Sequence, residues 1–189
     1  MIKPFYQGKV DTFCAIYAVL NALRMTHAIR TLKARALFND ALLDLALDVA
    51  AFRDVLEQRT DYMALVDGML EKVRRELSLD VIIPYGPESR PDADTLWDAC
   101  RRWMDGGDKR TVIFRFMRFL QPEADPFVRH WTTIDRIDAA TLHLFDCSHE
   151  AEAILNMRRG AFVTRREDVS KEKLLWVQPE SLRFVRLPR

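Results

Sequence analysis

Residues 6–23 read YQGKVDTFCAIYAVLNAL. The first half of this stretch is polar and carries a glycine. From Phe13 onward Phe13, Ile16, Tyr17, Leu20 and Leu23 recur at helical spacing, which predicts an amphipathic helix starting close to Cys14. Asp11 or Thr12 is placed to cap its start. A cysteine in the first turn of a helix faces unpaired backbone N–H groups and the positive end of the macrodipole. Both favour a thiolate, whereas an ordinary cysteine with a pKa of about 8.5 is mostly thiol near neutral pH. The position therefore suits a nucleophile, and Gln7 lies seven residues before it.

The helical pattern continues. Phe38, Leu42, Leu45, Val49, Phe52 and Leu56 form one apolar stripe, which predicts a second helix over 33–58. Thr60 or Asp61 starts a third, with Tyr62, Val66, Met69, Val73 and Leu77 on its apolar face. The texture changes at VIIPYGPESRPDAD, whose prolines and glycine indicate a short strand running into a loop. ADTLWDACRRWM is a fourth helix, closed by Gly106 and Gly107. From Arg110 onward TVIFRFMRFL, FVRHWTTIDRI, TLHLFDC, GAFVTR, LLWVQ and LRFVRL are short and rich in β-branched and aromatic residues. DRIDAATLHLF reads as a hairpin turning through Asp138 to Ala140, with Asp135 and Asp138 as candidate caps. The expected architecture is α+β. A helical half, about 11–105, packs on an antiparallel sheet, about 110–189, within one domain spanning 1–189.

Size and composition narrow the function. The chain has 189 residues, enough to bury a core as one domain. Its 29 basic and 28 acidic side chains leave a net charge of +1, so no bulk field draws it to nucleic acid or an anionic membrane. Arg158, Arg159, Arg165 and Arg166 cluster around GAFVT and read as a solvated face. Three cysteines, Cys14, Cys100 and Cys147, do not make a disulfide framework. No window is apolar enough for a membrane span, and no signal-peptide pattern opens the chain. A cytoplasmic location is the expectation, with export by a route that reads no cleaved signal as the alternative. With six glycines there is no phosphate-binding glycine loop. A zinc site built from Cys147, His149, Cys14 and His130 lacks the usual ligand spacing, so no metal is expected.

A nucleophilic cysteine needs a base. Of four histidines, His27 falls at a helix end, where it can meet the last carbonyls, and His143 alternates out of register with Leu142 and Leu144. His149 lies in a turn. His130 sits on a strand, followed by Trp131, and the next strand carries Asp146 in LFDC. Sequential strands usually pair, so a carboxylate on one can orient an imidazole on the other. Cys147 alternates away from Asp146 and is expected on the opposite face of the sheet. Cys100, between Trp97 and Trp103, is expected in the core.

The cysteine opening a long N-terminal helix, the preceding glutamine, HW on a later strand and an aspartate sixteen residues after that histidine resemble the papain-like cysteine peptidases. The chain is most similar to the bacterial branch that processes double-glycine leader peptides. The resemblance implies a papain-like fold in which Cys14 is the nucleophile and His130 the general base, then acid. It implies that Asp146 orients the imidazole and that Gln7, with the Cys14 N–H, binds the oxyanion. It also implies that Trp131, the candidate substrate-binding residue, shields the His130–Asp146 hydrogen bond from water. The expected reaction is amide hydrolysis of a peptide or protein through a thioester, with no cofactor. Acyl transfer to an amine, as in transglutaminase-like relatives, and a non-catalytic binding module of the same fold remain alternatives. The helices between Lys33 and Leu79 have no counterpart in the resemblance.

Overall fold

A computed structural model describes residues 2–8, 11–57, 59, 62–148 and 156–188. The fold is α+β: the N-terminal half is helical and the C-terminal half is an antiparallel sheet. Helices α1 (Cys14–His27), α2 (Thr31–Ala46), α3 (Val49–Leu56) and α4 (Tyr62–Glu76) come first. Strand β1 (Asp80–Ile82) and helix α5 (Ala93–Asp105) follow. The remaining strands are β2 (Arg110–Arg118), β3 (Val128–Ile137), β4 (Thr141–Leu144), β5 (Asn156–Arg158), β6 (Phe162–Val163), β7 (Leu175–Val177) and β8 (Arg183–Arg186). Among the described residues no helix is long and apolar enough to cross a membrane.

The sheet runs β1-β8-β2-β3-β4-β5, with β7 on the same edge of β2 as β8 and β6 parallel to β7. Its two faces bury different helices. Ile113, Trp131 and Val185 pack with α1, α2 and α4, while Val112, Phe114, Phe116 and Phe184 pack with Leu96, Trp97, Cys100 and Trp103 of α5. This alternation along β2 follows from the period-two geometry of a strand. Helix α1 is enclosed on nearly every side. Ala15, Ile16, Val19, Ala22 and Leu23 are all buried, and Thr133 Oγ1 on β3 donates to the Ala18 carbonyl at 3.0 Å. Fully burying a leucine or valine side chain is worth about 1.5–3 kcal/mol, so this helix is anchored firmly to the sheet. Its first turn has little freedom to move.

Several local expectations need correction. The helix expected over 33–58 is two helices, because Asp48 accepts from the N–H groups of Ala50 and Ala51 and starts α3 afresh. Neither Asp11 nor Thr12 caps α1. Phe13 holds the N-cap position without a side-chain bond, Asp11 Oδ1 accepts from the Phe13 N–H, and Thr12 Oγ1 donates to the Val55 carbonyl. His27 does not bond the last carbonyls of its own helix. Its Nε2 meets the Ser78 carbonyl at 2.8 Å, tying α1 to the approach to β1. Strand β5 lies where no strand was expected, and GAFVTR contributes only Phe162–Val163. The β3–β4 turn is capped by Asp138 Oδ1, which accepts from Ala140 N and Thr141 N, while Asp135 pairs with Arg136. The arginines around GAFVT are mostly engaged: Arg159 pairs with Asp94, Arg165 with Asp168, and Arg166 donates to the Pro122 carbonyl. Thr60, Asp61 and His149 lie outside the described residues.

Candidate functional site: a cysteine, a histidine and an aspartate at the start of α1

The chain before α1 is pinned at two points. The buried Asn21 side chain accepts from the Phe5 N–H at 2.7 Å and donates to the Phe5 carbonyl at 3.2 Å, acting as a clamp on the extended segment. Two residues on, the Gln7 N–H donates to the Cys147 carbonyl at 2.8 Å. These bonds bring Gln7 beside the start of α1. There a small pocket of about 90 Å³ is lined by Gln7, Asp11, Thr12, Cys14 and Tyr62, and by Arg115, Arg129, His130 and Trp131 of the sheet.

His130 and Asp146 meet across the β3–β4 hairpin. Pairing of Ile134 with Leu144, continued by the bond from Phe145 N to the Thr133 carbonyl, carries Asp146 to the level of Thr132. His130 Nε2 lies 2.9 Å from Asp146 Oδ2. Thr132, two residues along the strand and so on the same face as His130, donates from Oγ1 to the same oxygen at 2.5 Å. The Ser148 N–H donates to Asp146 Oδ1 at 2.8 Å. Thus a carboxylate that is 2% exposed has three donors. Burial raises its pKa, but the bonds from His130, Thr132 and Ser148 outweigh burial and hold it below the ordinary carboxylate value.

The imidazole mirrors this balance. Burial disfavours the charged ring, yet the bond to Asp146 and the contacts with the Cys14 and Cys147 thiols keep His130 well above its usual 6.5. The Phe116 ring, directly across the β2–β3 ladder, packs edge-on to His130 with centroids 5.6 Å apart. Trp131 alternates to the α1 side, where it is buried and borders the pocket.

Cys14, 8% exposed, opens α1. Since no side chain caps this helix, its first-turn N–H groups are not consumed by a cap. Gln7 Nε2 donates to the Asp11 carbonyl at 2.5 Å, which orients the amide and leaves its second hydrogen unassigned. Tyr62 is the contribution of the helices between Lys33 and Leu79. Its hydroxyl and that of Thr12 both donate to the Val55 carbonyl, and Tyr62, at the start of α4, forms part of the pocket wall.

Cys147 packs with Cys14, Ile113 and Trp131 on the α1 face, opposite the face of Asp146 as the alternation led one to expect, yet it also reaches the site. Its Sγ lies 3.8 Å from His130 Nε2 and 3.6 Å from Gln7 Oε1. Two thiols therefore adjoin one imidazole. They differ in environment: burial pushes Cys147 up to about 11, against the lowering effect of His130, and Cys147 does not line the pocket. Cys100 is likewise buried, with its thiol pushed up to about 12. All three cysteines are free thiols. Among the described residues no group of three or more His, Cys, Asp or Glu side chains is arranged to hold a metal ion.

Cys14, His130, Asp146, Gln7 and Trp131 are all at or beside this pocket. Thr132, Tyr62, Arg115, Arg129 and Cys147 were missed. Thr132 was legible in principle, since it shares a strand face with His130. The others reach the site through tertiary packing alone. No protein-family model matches the chain, and no curated protein matches it.

Proposed function

We propose that the chain is a papain-like cysteine hydrolase that cleaves an amide bond in a peptide or protein through a thioester on Cys14. The observation that carries this reading is the company His130 keeps. Its Nε2 is held by a buried carboxylate, and it lines one small pocket together with Cys14 at the start of α1. Nε2 being taken by Asp146, the other ring nitrogen, Nδ1, is left to receive the Cys14 proton.

The chemistry follows in order. Proton transfer from Cys14 to His130 gives a thiolate–imidazolium pair, which Asp146 favours by stabilising the positive ring. The thiolate adds to the substrate carbonyl. The oxyanion is received by the Cys14 N–H and the second amide hydrogen of Gln7. His130 then protonates the leaving amine, and the C–N bond breaks to leave the acyl group on sulfur. A water molecule, deprotonated by His130, attacks the thioester and releases the acid, restoring the thiol. No step requires a cofactor.

The test is exposure of the wild type, Cys14→Ala and His130→Ala to a defined peptide mixture, with new chain ends read by mass spectrometry. New ends formed by the wild type alone support hydrolysis. Ends joined to an added primary amine would redirect the reading to acyl transfer. No products, together with alkylation of Cys14 that ignores His130, would leave a non-catalytic binding module.

A further inference from the structure

The pocket beside Cys14 has a charge that the hydrolytic steps do not use. In the β2–β3 ladder Arg115 is opposite Trp131 and Met117 is opposite Arg129. Arg115 and Arg129 are therefore diagonal neighbours on one face of the sheet, the α1 side, which they share with Trp131. Both side chains line the pocket with Cys14.

Arg115 is built in rather than draped over the surface. Its N–H donates to Ser181 Oγ at 2.8 Å, and its carbonyl accepts from Gln178 N at 3.1 Å, so the turn between β7 and β8 fixes its backbone. The half-buried guanidinium lies over the Tyr62 ring at 5.7 Å. Other partly or fully buried arginines are answered by a carboxylate, as Arg183 by Asp67 at 2.5 Å and Arg186 by Asp80 at 2.9 Å, or by carbonyls, as Arg110 by Trp103 and Arg166 by Pro122. Here, among the described residues, no carboxylate is within ion-pair distance of Arg115 or Arg129. The nearby acids are engaged. Asp11 accepts from the N–H groups of Gly8 and Phe13, and Glu180 accepts from Gln178 Nε2 at 3.3 Å. Burial and the positive charge of Arg129 both work against the Arg115 cation, while Cys14, Tyr62 and Glu180 favour it. Two like charges sharing one pocket wall are relieved by an anion, and a guanidinium fork suits a carboxylate.

We propose that Arg115 and Arg129 form an anion subsite beside Cys14 that receives a carboxylate of the substrate, which makes acidic peptides the preferred class. The proposal rests on the hydrolase reading of the same pocket. The carboxylate comes from an aspartate or glutamate side chain or from a chain terminus.

The test compares alkylation of Cys14 by iodoacetate, which is anionic, with alkylation by iodoacetamide, its neutral analogue. It uses the wild type, Arg129→Gln, Arg115→Gln and the double variant. The readout is the ratio of the two rates, so a general change in thiol reactivity cancels. Charge focusing in a pocket raises local anion concentration by tenfold or more, so the ratio is expected to fall about tenfold in the double variant. Arg129 is exposed, and its variant serves alone if substitution of Arg115 prevents folding. Protection of Cys14 from iodoacetamide by N-acetylglutamate amide assigns the side-chain source. Protection by N-acetylglycylglycine assigns the terminus. A ratio equal in all variants, with protection by neither compound, overturns the subsite while leaving His130-dependent labelling of Cys14 to support the hydrolase. Failure of both reagents to label Cys14 selectively removes the hydrolase reading and the subsite with it.

Discussion

His130 Nε2 lies 2.9 Å from Asp146 Oδ2, and both groups are nearly excluded from water, with Asp146 also bound by Thr132 and Ser148. The pair joins two strands that are consecutive in sequence, so a tight hairpin fixes a contact spanning sixteen residues. It orients the imidazole and sets its charge, and two predictions follow from it directly.

The first concerns titration. His130 is held above 6.5 and Asp146 below 3.8. The His130 contribution to stability is full below 6.5 and is lost as pH rises through its raised folded value. The Asp146 contribution is full above 3.8 and is lost as pH falls through its depressed folded value. The difference in Tm between wild type and Asp146→Asn is therefore largest from about pH 4 to 6.5 and shrinks on both sides. NMR titration of the His130 ring gives a midpoint above 6.5 in the wild type and a lower one in the variant.

The second concerns truncation. Asp146→Ala leaves His130 and Thr132 without their buried acceptor, and removing one partner of such a pair costs about 3–5 kcal/mol. Thr132→Val deletes a single donor and costs about 1–3 kcal/mol. Denaturant unfolding of the two variants ranks them, and equal stability of Asp146→Ala and wild type would contradict the buried pair.

The two thiols beside His130 behave differently. Cys147 is buried and its thiol is pushed up to about 11, so it stays protonated at neutral pH. Cys147→Ala retains labelling of the protein by a limiting amount of iodoacetamide, whereas Cys14→Ala abolishes it. Peptide mass mapping reads the outcome, and labelling that follows Cys147 would transfer the nucleophile's role to that residue.

The clamp on the N-terminal segment is tested through Asn21. Asn21→Leu leaves the Phe5 N–H and carbonyl without their partner and costs about 1–3 kcal/mol. It also frees the segment carrying Gln7, so Cys14 labelling slows beyond the effect of lost stability. Comparison with Leu23→Ala, a cavity elsewhere in α1 costing about 2–5 kcal/mol, separates the two effects.

Helix α1, helix α5 and the β3–β4 hairpin were legible because one local signal dominated each: the stripe after Phe13, the spacing of Leu96, Trp97, Cys100 and Trp103, and the turn at Asp138. The break between α2 and α3 was hidden because the apolar stripe continues through it, although Asp48 is a legible cap in retrospect. The face of Cys147 followed from alternation, but its approach to His130 and Gln7 did not, because it depends on how the N-terminal segment lies against the end of β4. His130 and Asp146 could be paired from hairpin logic, being close in sequence. Arg115 and Tyr62 could not, because their approach to Cys14 depends on how β2 and α4 pack around α1. Thr132 was within reach of the same strand logic, once Asp146 was set opposite its face.

The most direct measurement is the pH dependence of Cys14 alkylation in the wild type and in His130→Ala. Limited iodoacetamide treatment is followed by peptide mapping of Cys14, Cys100 and Cys147. Selective labelling of Cys14 is expected in the wild type, with loss of that labelling when His130 is replaced. Labelling of Cys14 that is identical with and without His130, or no faster than that of Cys100, would contradict the catalytic pair.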